Sequence, residues 1–228
     1  MGLAWPAALV NVTRARFQLE NVSRGGGAAM NGSEQRVYNP DQRWIASITV
    51  PIRNKEQVFA FRALMARADG SAGIIDVPAF EKHRANWPVD AYGRKLSPKF
   101  TRRRELDGTI YEDPAIPTAS AITATVSGAH AIRATTLAIS LTQGSPLHYG
   151  QYVSIAGHLY ILRWPVSTVG SVYTFEIRPP LRVAAAAGAT VEVANPTCEM
   201  RLASDDQTGL DLDLLKFAEP SLSFIEYF

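Results

Sequence analysis

The chain has 228 residues, 46% hydrophobic and 19% charged, with a formal net charge of +2. This composition belongs to a folded globular chain and excludes a disordered or highly charged one; the length allows one large domain or two modest ones. The single cysteine, Cys198, excludes an internal disulfide and reads as a small buried hydrophobe, so stability has to come from packing.

Residues 1–10 lack a basic start and contain Pro6, which makes a poor signal peptide, and position 6 lacks the Ser or Thr of a myristoylation signal. Without a secretion signal, the glycosylation-like triplets at Asn11, Asn21 and Asn31 read as chance. No run approaches 18 uninterrupted apolar residues, so no membrane insertion is expected. Residues 8–24 alternate in part (Leu9, Val10, Val12, then Phe17, Leu19, Val22), which predicts a strand. Residues 25–35, opening on Gly25-Gly26-Gly27, break it, and strand character resumes over 36–50 with Val37, Tyr38, Trp44, Ile45, Ile48 and Val50. The expectation is a hairpin carrying a long, flexible, glycine-rich arm.

A helix follows. Asn54 is its N-cap and Gln57 holds the capping-box position. Val58, Phe61, Leu64, Met65 and Ala68 form one apolar face, and Asp69-Gly70 ends it. Ile74, Ile75 and Val77 predict a short strand closed by Pro78. Residues 78–117 read as irregular, interrupted by five prolines, yet they hold Phe80, Trp87, Tyr92 and Phe100.

Composition shifts near residue 118, where charge becomes scarce and Ala, Thr, Val and Ser dominate. Strands are expected over 122–126, 132–141, 151–155, 158–164, 171–177 and 190–193, with tight turns at Ala156-Gly157 and Val169-Gly170. Short strands at regular spacing predict a small barrel or sandwich. In the tail, Met200 and Leu202 alternate, Asp205-Asp206 marks a turn, and Leu210, Leu212 and Leu214 alternate with Asp211 and Asp213. After Pro220, Leu222, Phe224 and Tyr227 predict a final strand, which needs a sheet to join. The chain is therefore divided into a first domain made from 1–117 and 197–228, with a barrel of 118–196 inserted in it.

This order of elements resembles the ring-forming distal tail, or baseplate hub, proteins of long-tailed bacteriophages. The hairpin with a long loop, the single helix and the C-terminal strands are similar to the phage tail-tube fold. The stretch Leu147-His148-Tyr149-Gly150-Gln151-Tyr152-Val153-Ser154-Ile155-Ala156-Gly157-His158-Leu159-Tyr160-Ile161 looks like a pattern common in distal tail and minor tail proteins. So do Ile177-Arg178-Pro179-Pro180-Leu181-Arg182 and the helix-to-strand passage Gly70-Ser71-Ala72-Gly73. The resemblance implies a mainly β (α+β) protein: a tail-tube-like β-sandwich with one α-helix, plus an inserted small β-barrel. It implies a structural role without catalytic residues or cofactors. Six copies would form a ring at the tail tip of the virion, assembled in the host bacterial cytoplasm. The partners would be the tail tube protein and central hub proteins, with DNA only in transit through the lumen.

The residues themselves give little chemistry. His83, His130, His148 and His158 lack zinc-ligand spacing, and no Cys-x-x-Cys occurs. The three glycines lack the Gly-Lys-Ser/Thr ending of a phosphate loop, and no Gly-x-Ser-x-Gly elbow is present. Glu112-Asp113 and Asp205-Asp206 read as solvated loop acids rather than a glycosidase pair.

Charge is uneven: residues 1–110 carry 17 Lys/Arg against 10 Asp/Glu, and residues 184–228 carry 2 against 8. Such polarity can orient copies head to tail. The sharpest basic cluster is Arg94, Lys95, Lys99, Arg102, Arg103 and Arg104. It reads as a solvated loop or a patch for an acidic neighbour before it reads as a nucleic-acid track. Candidate inter-subunit residues are Arg24, Met30 and Arg36 on the arm, with Arg102, Arg103 and Arg104. The alternative function is a glycan- or host-surface-binding module on the barrel. An exposed aromatic row among Tyr149, Tyr152, Tyr160 and Trp164 would favour it; buried, these residues are core.

Overall fold

Alternating residues near the N-terminus do form strands, although they are shorter than their hydrophobic pattern. The computed structural model of the protein describes residues 2–9, 12–20, 23–28, 34–38, 41–80, 102–104, 110–112, 122–144, 146–211 and 217–228. Its first elements are β1 (Leu3–Ala4), β2 (Arg14–Leu19), β3 (Ser23–Ala28), β4 (Glu34–Tyr38) and β5 (Trp44–Thr49). The helix α1 (Lys55–Ala68) and β6 (Ile75–Pro78) follow. Next come the short strands β7 (Arg102–Arg104) and β8 (Ile110–Glu112). The second half holds β9 (Thr123–Val126), β10 (Thr136–Gln143), β11 (Tyr152–Ile155), β12 (His158–Val169), β13 (Val172–Arg178) and β14 (Thr190–Val191). The chain finishes with β15 (Thr197–Leu202) and β16 (Ser221–Glu226).

Two six-stranded sheets organise these elements. The first runs β1-β6-β15-β16-β5-β2, antiparallel throughout except for the parallel β1–β6 pair. Period-two alternation turns Ala46 and Ile48, Ile75 and Val77, Cys198 and Met200, and Leu222 and Phe224 to one buried face. The helix lays Phe61, Leu64, Met65 and Ala68 into the same cluster, which is the apolar face expected from its spacing. Asn54 Oδ1 accepts from the Gln57 N–H at 2.8 Å, and Gln57 Oε1 accepts from the Arg53 N–H at 2.8 Å. That is a capping box reaching one residue further back than usual. At the other end Asp69 and Gly70 take positive φ (47° and 70°), and the Gly73 N–H closes on the Ala68 carbonyl at 2.7 Å.

The second sheet runs β11-β12-β13-β10-β9-β14. Ser154 and Glu192 exchange two backbone hydrogen bonds of 2.9 Å, which tie the end of β14 to β11 and close the sheet into a small barrel. Val126, Leu137, Ile139, Val153, Tyr160, Leu162, Phe175 and Ile177 fill it. The protein is thus mainly β, with one α-helix among the described residues, and one of its sheets is barrel-like.

Barrel and sheet share a surface. Along β12, Tyr160 and Leu162 point into the barrel, whereas Leu159 is fully buried in the first sheet's cluster with Ile161 beside it. Such a strand is buried on both faces, which is why residues 159–162 read as a continuous hydrophobic run rather than an alternating one.

Several local expectations change. Gly25, Gly26 and Gly27 do not break the chain: they lie within β3, which pairs antiparallel with β4 in a two-stranded ribbon. Glycine weakens a strand but still donates and accepts in a ladder. Residues 36–50 divide into two strands, β4 and β5, and Ala7–Leu9 is a 3-10 turn. Within the supposedly irregular 78–117, β7 and β8 pair as a second ribbon; residues 81–101, with Trp87, Tyr92 and Phe100, lie outside the described residues. Asp205–Thr208 is a 3-10 turn, Leu210 and Asp211 lie in no strand, and residues 212–216 are outside the described residues. Val169 pairs with Val172, so the second tight turn is Gly170-Ser171, one residue later than expected.

Candidate functional site

Five of the six candidate inter-subunit residues fall on the two ribbons. Arg24 lies on β3 opposite Val37, and Arg36 lies on β4 opposite Gly25, one register position apart on the same ribbon. Arg102, Arg103 and Arg104 make up β7, paired to Glu112, Tyr111 and Ile110. The structure therefore places the three arginines in a strand rather than a loop. Met30, Arg94, Lys95 and Lys99 lie outside the described residues.

The aromatic candidates divide. Tyr160 is core: its hydroxyl accepts from the Arg182 N–H at 3.0 Å, and burial pushes its pKa up to about 12. Tyr152 is half-buried between the two bodies, edge-on to Trp44 at 5.6 Å and tilted against Phe17 at 6.4 Å. Tyr149 and Trp164 are exposed on the barrel wall.

Histidines are scattered. His130 Nε2 accepts from the Ala138 N–H at 3.2 Å, a structural role. His148 is exposed, and His83 is outside the described residues. Among the described residues, no three His, Cys, Asp or Glu groups converge on a point that could hold a metal ion. Cys198 is buried, and burial raises its thiol well above the usual value, so it stays a protonated hydrophobe. Asp205 accepts from the Ser71 N–H at 2.7 Å, which holds its carboxyl low. It braces the turn after the helix.

The densest polar geometry lies between barrel and sheet, where sequence spacing gave no signal. Arg182, just beyond the barrel strand β13, donates to Glu226 at the end of β16 through Nε at 3.2 Å and Nη2 at 2.9 Å. This bidentate pair is buried, with side-chain exposures of 8% and 0%. Arg182 Nη2 also donates to the Gln42 carbonyl, and its guanidinium lies over the Phe228 ring, 3.9 Å from the centroid. Glu226 Oε2 accepts the Trp44 backbone N–H at 2.9 Å, and the Trp44 indole donates to the Leu159 carbonyl at 2.7 Å. The turn at Gly157 accepts from the Glu199 N–H at 2.7 Å, and a Cβ on Gly157 would sit 2.7 Å from the Glu199 carboxyl carbon. Next to it His158 is 8% exposed, and its Nδ1 is buried without a hydrogen-bond partner among the described residues.

A second pair of acids shares the outer face of the sheet. Register sets Asp76 on β6 directly opposite Glu199 on β15. Burial, and then the Glu199 charge, raise the Asp76 carboxyl, whose Oδ1 has no hydrogen-bond partner among the described residues. The arrangement fastens one body to the other. Compared with known proteins, the chain matches no protein-family model, and no curated protein is similar to it.

Proposed function

We propose that this chain is a structural subunit of a phage tail. In this reading, about six copies form a ring at the distal end of the tail tube, consistent with the closed cyclic symmetry usual for homo-oligomers. The ring links the tube to the central hub proteins at the tail tip and lets DNA pass through its lumen. The copies assemble in the host bacterial cytoplasm.

One observation carries the reading: the order in which elements build the first sheet. β2 and β5 are neighbours with the β3–β4 ribbon between them in sequence, α1 packs on the sheet, β15 and β16 complete it, and a barrel is spelled out between β6 and β15. That order is the one the tail-tube resemblance implies. A protein that acts by shape needs rigid bodies and exposed connecting elements, and the buried Arg182–Glu226 clamp supplies the rigidity.

Light scattering after size exclusion, over a range of concentrations and with the tail tube protein added, tests the reading. A discrete oligomer several-fold heavier than the 24.9 kDa chain is expected in at least one condition. A monomer under every condition, together with its absence from intact particles, overturns it.

A further inference from the structure

Two aromatic side chains of the barrel face largely into solvent and touch each other. Tyr149, in the turn before β11, and Trp164, on β12, are 63% and 66% exposed. Their rings meet with centroids 5.4 Å apart and 36° between planes. The backbone holds them together. The Gly150 N–H donates to the Leu162 carbonyl at 2.6 Å, and the Leu162 N–H donates to the Gln151 carbonyl at 2.9 Å. The Tyr149 turn is thereby clamped beside β12, two residues before Trp164. A pre-formed shallow V of two rings, open to water, retains free energy of burial that only a partner can release.

The surroundings narrow the partner. In the flanking strand positions, Arg163 on β12 faces Glu176 on β13 at 3.8 Å, each about half exposed. The pair is neutral as a unit, so it supplies no field to collect a phosphate backbone or an acidic peptide. The strand edge next to it is also a poor template for a foreign strand, because β12 carries Pro165 there with register shifts on both sides. What the wall does offer is two apolar ring faces beside a fork of N–H donors and a carboxylate acceptor. A pyranose ring has an apolar C–H face and hydroxyls that both donate and accept, so it matches all three.

We propose that Tyr149 and Trp164 form a binding platform for a neutral glycan, with Arg163 and Glu176 bonding its hydroxyls. The site does not depend on ring formation and stands or falls separately from it.

Isothermal titration calorimetry of the intact protein with maltohexaose, cellohexaose and chitohexaose tests this, with the oligonucleotide (dT)10 as the charged aromatic-binding control. At least one saccharide is expected to bind with a Kd of about 0.01–1 mM, as for an open site that buries little area. Trp164→Ala and Tyr149→Ala should each weaken it about tenfold without changing Tm, because both rings are exposed. Trp164→Phe should retain most of the affinity. Three outcomes overturn the proposal: no binding of any of the three saccharides, tighter binding of (dT)10, or saccharide binding that neither alanine substitution weakens.

Discussion

Arg182 and Glu226 are 44 residues apart in sequence and meet as a bidentate pair with almost no exposure to water. Removing one member of such a pair strands the other as a buried charge. Arg182→Met should therefore destabilise the protein by about 3–5 kcal/mol. Adding Glu226→Gln removes that charge while keeping an acceptor for the Trp44 N–H, so the double variant should recover most of the loss in urea unfolding. His158 gives the same interface a pH dependence. Burial holds its imidazole below the usual value of 6.5, and Arg182 pushes the same way, while Glu226 and Glu199 pull partly against them. Between the lowered folded value and 6.5 the unfolded chain binds more protons than the folded one. This contribution to stability is therefore complete above 6.5 and is lost as pH falls through that window. Thermal scans across the window should show a smaller fall in Tm for His158→Gln than for the natural chain; equal slopes would remove His158 as the cause.

The β11–β12 turn shows how local chemistry and assembly meet at a single element. Ile155 pairs with His158, leaving Ala156 and Gly157 as a two-residue turn with φ of 50° and 82°. Both angles are positive, which Asn-Gly accommodates and alanine resists. Ala156 is exposed, so Ala156→Asn should stabilise by about 0.5–1 kcal/mol, read as a higher denaturation midpoint. The turn itself was legible from Ala-Gly between two apolar runs, as were α1, from its cap and periodicity, and β16, from its alternation. The β3–β4 ribbon was not, because three consecutive glycines carry no side-chain pattern and a ladder is made by backbone alone. The ribbon also frames the assembly hypothesis. Deleting residues 26–33 removes its distal part and leaves the strands of both sheets intact. The variant should fold with an unchanged circular dichroism spectrum and fail to form rings; normal assembly by that variant would refute the ribbon's role.

At the scale of the whole molecule, two hydrophobic clusters meet through Leu159, Tyr152 and Ile161. The change of composition near residue 118 made a separate run of strands visible, and regular turn signals made it a barrel. The contact between barrel and sheet left no such trace. Leu159 and Tyr160 are neighbours in one buried run, yet they serve different cores, and nothing in the spacing of Arg182, Gln42 and Glu226 marks them as partners. Long-range pairs of this kind are fixed by the docking of finished sheets, whereas helices, turns and strands are written in neighbouring residues. The exposed Tyr149–Trp164 pair was visible only as aromatic residues whose side of the wall was open.

Negative-stain electron microscopy of the purified protein and of particles that carry it tests the proposed ring at the end of a phage tail. Closed rings of about six subunits with a central lumen are expected, and the same ring at the distal end of the tail tube in particles. Dispersed monomers in the purified sample, together with tails whose distal ring lacks this chain, would contradict it.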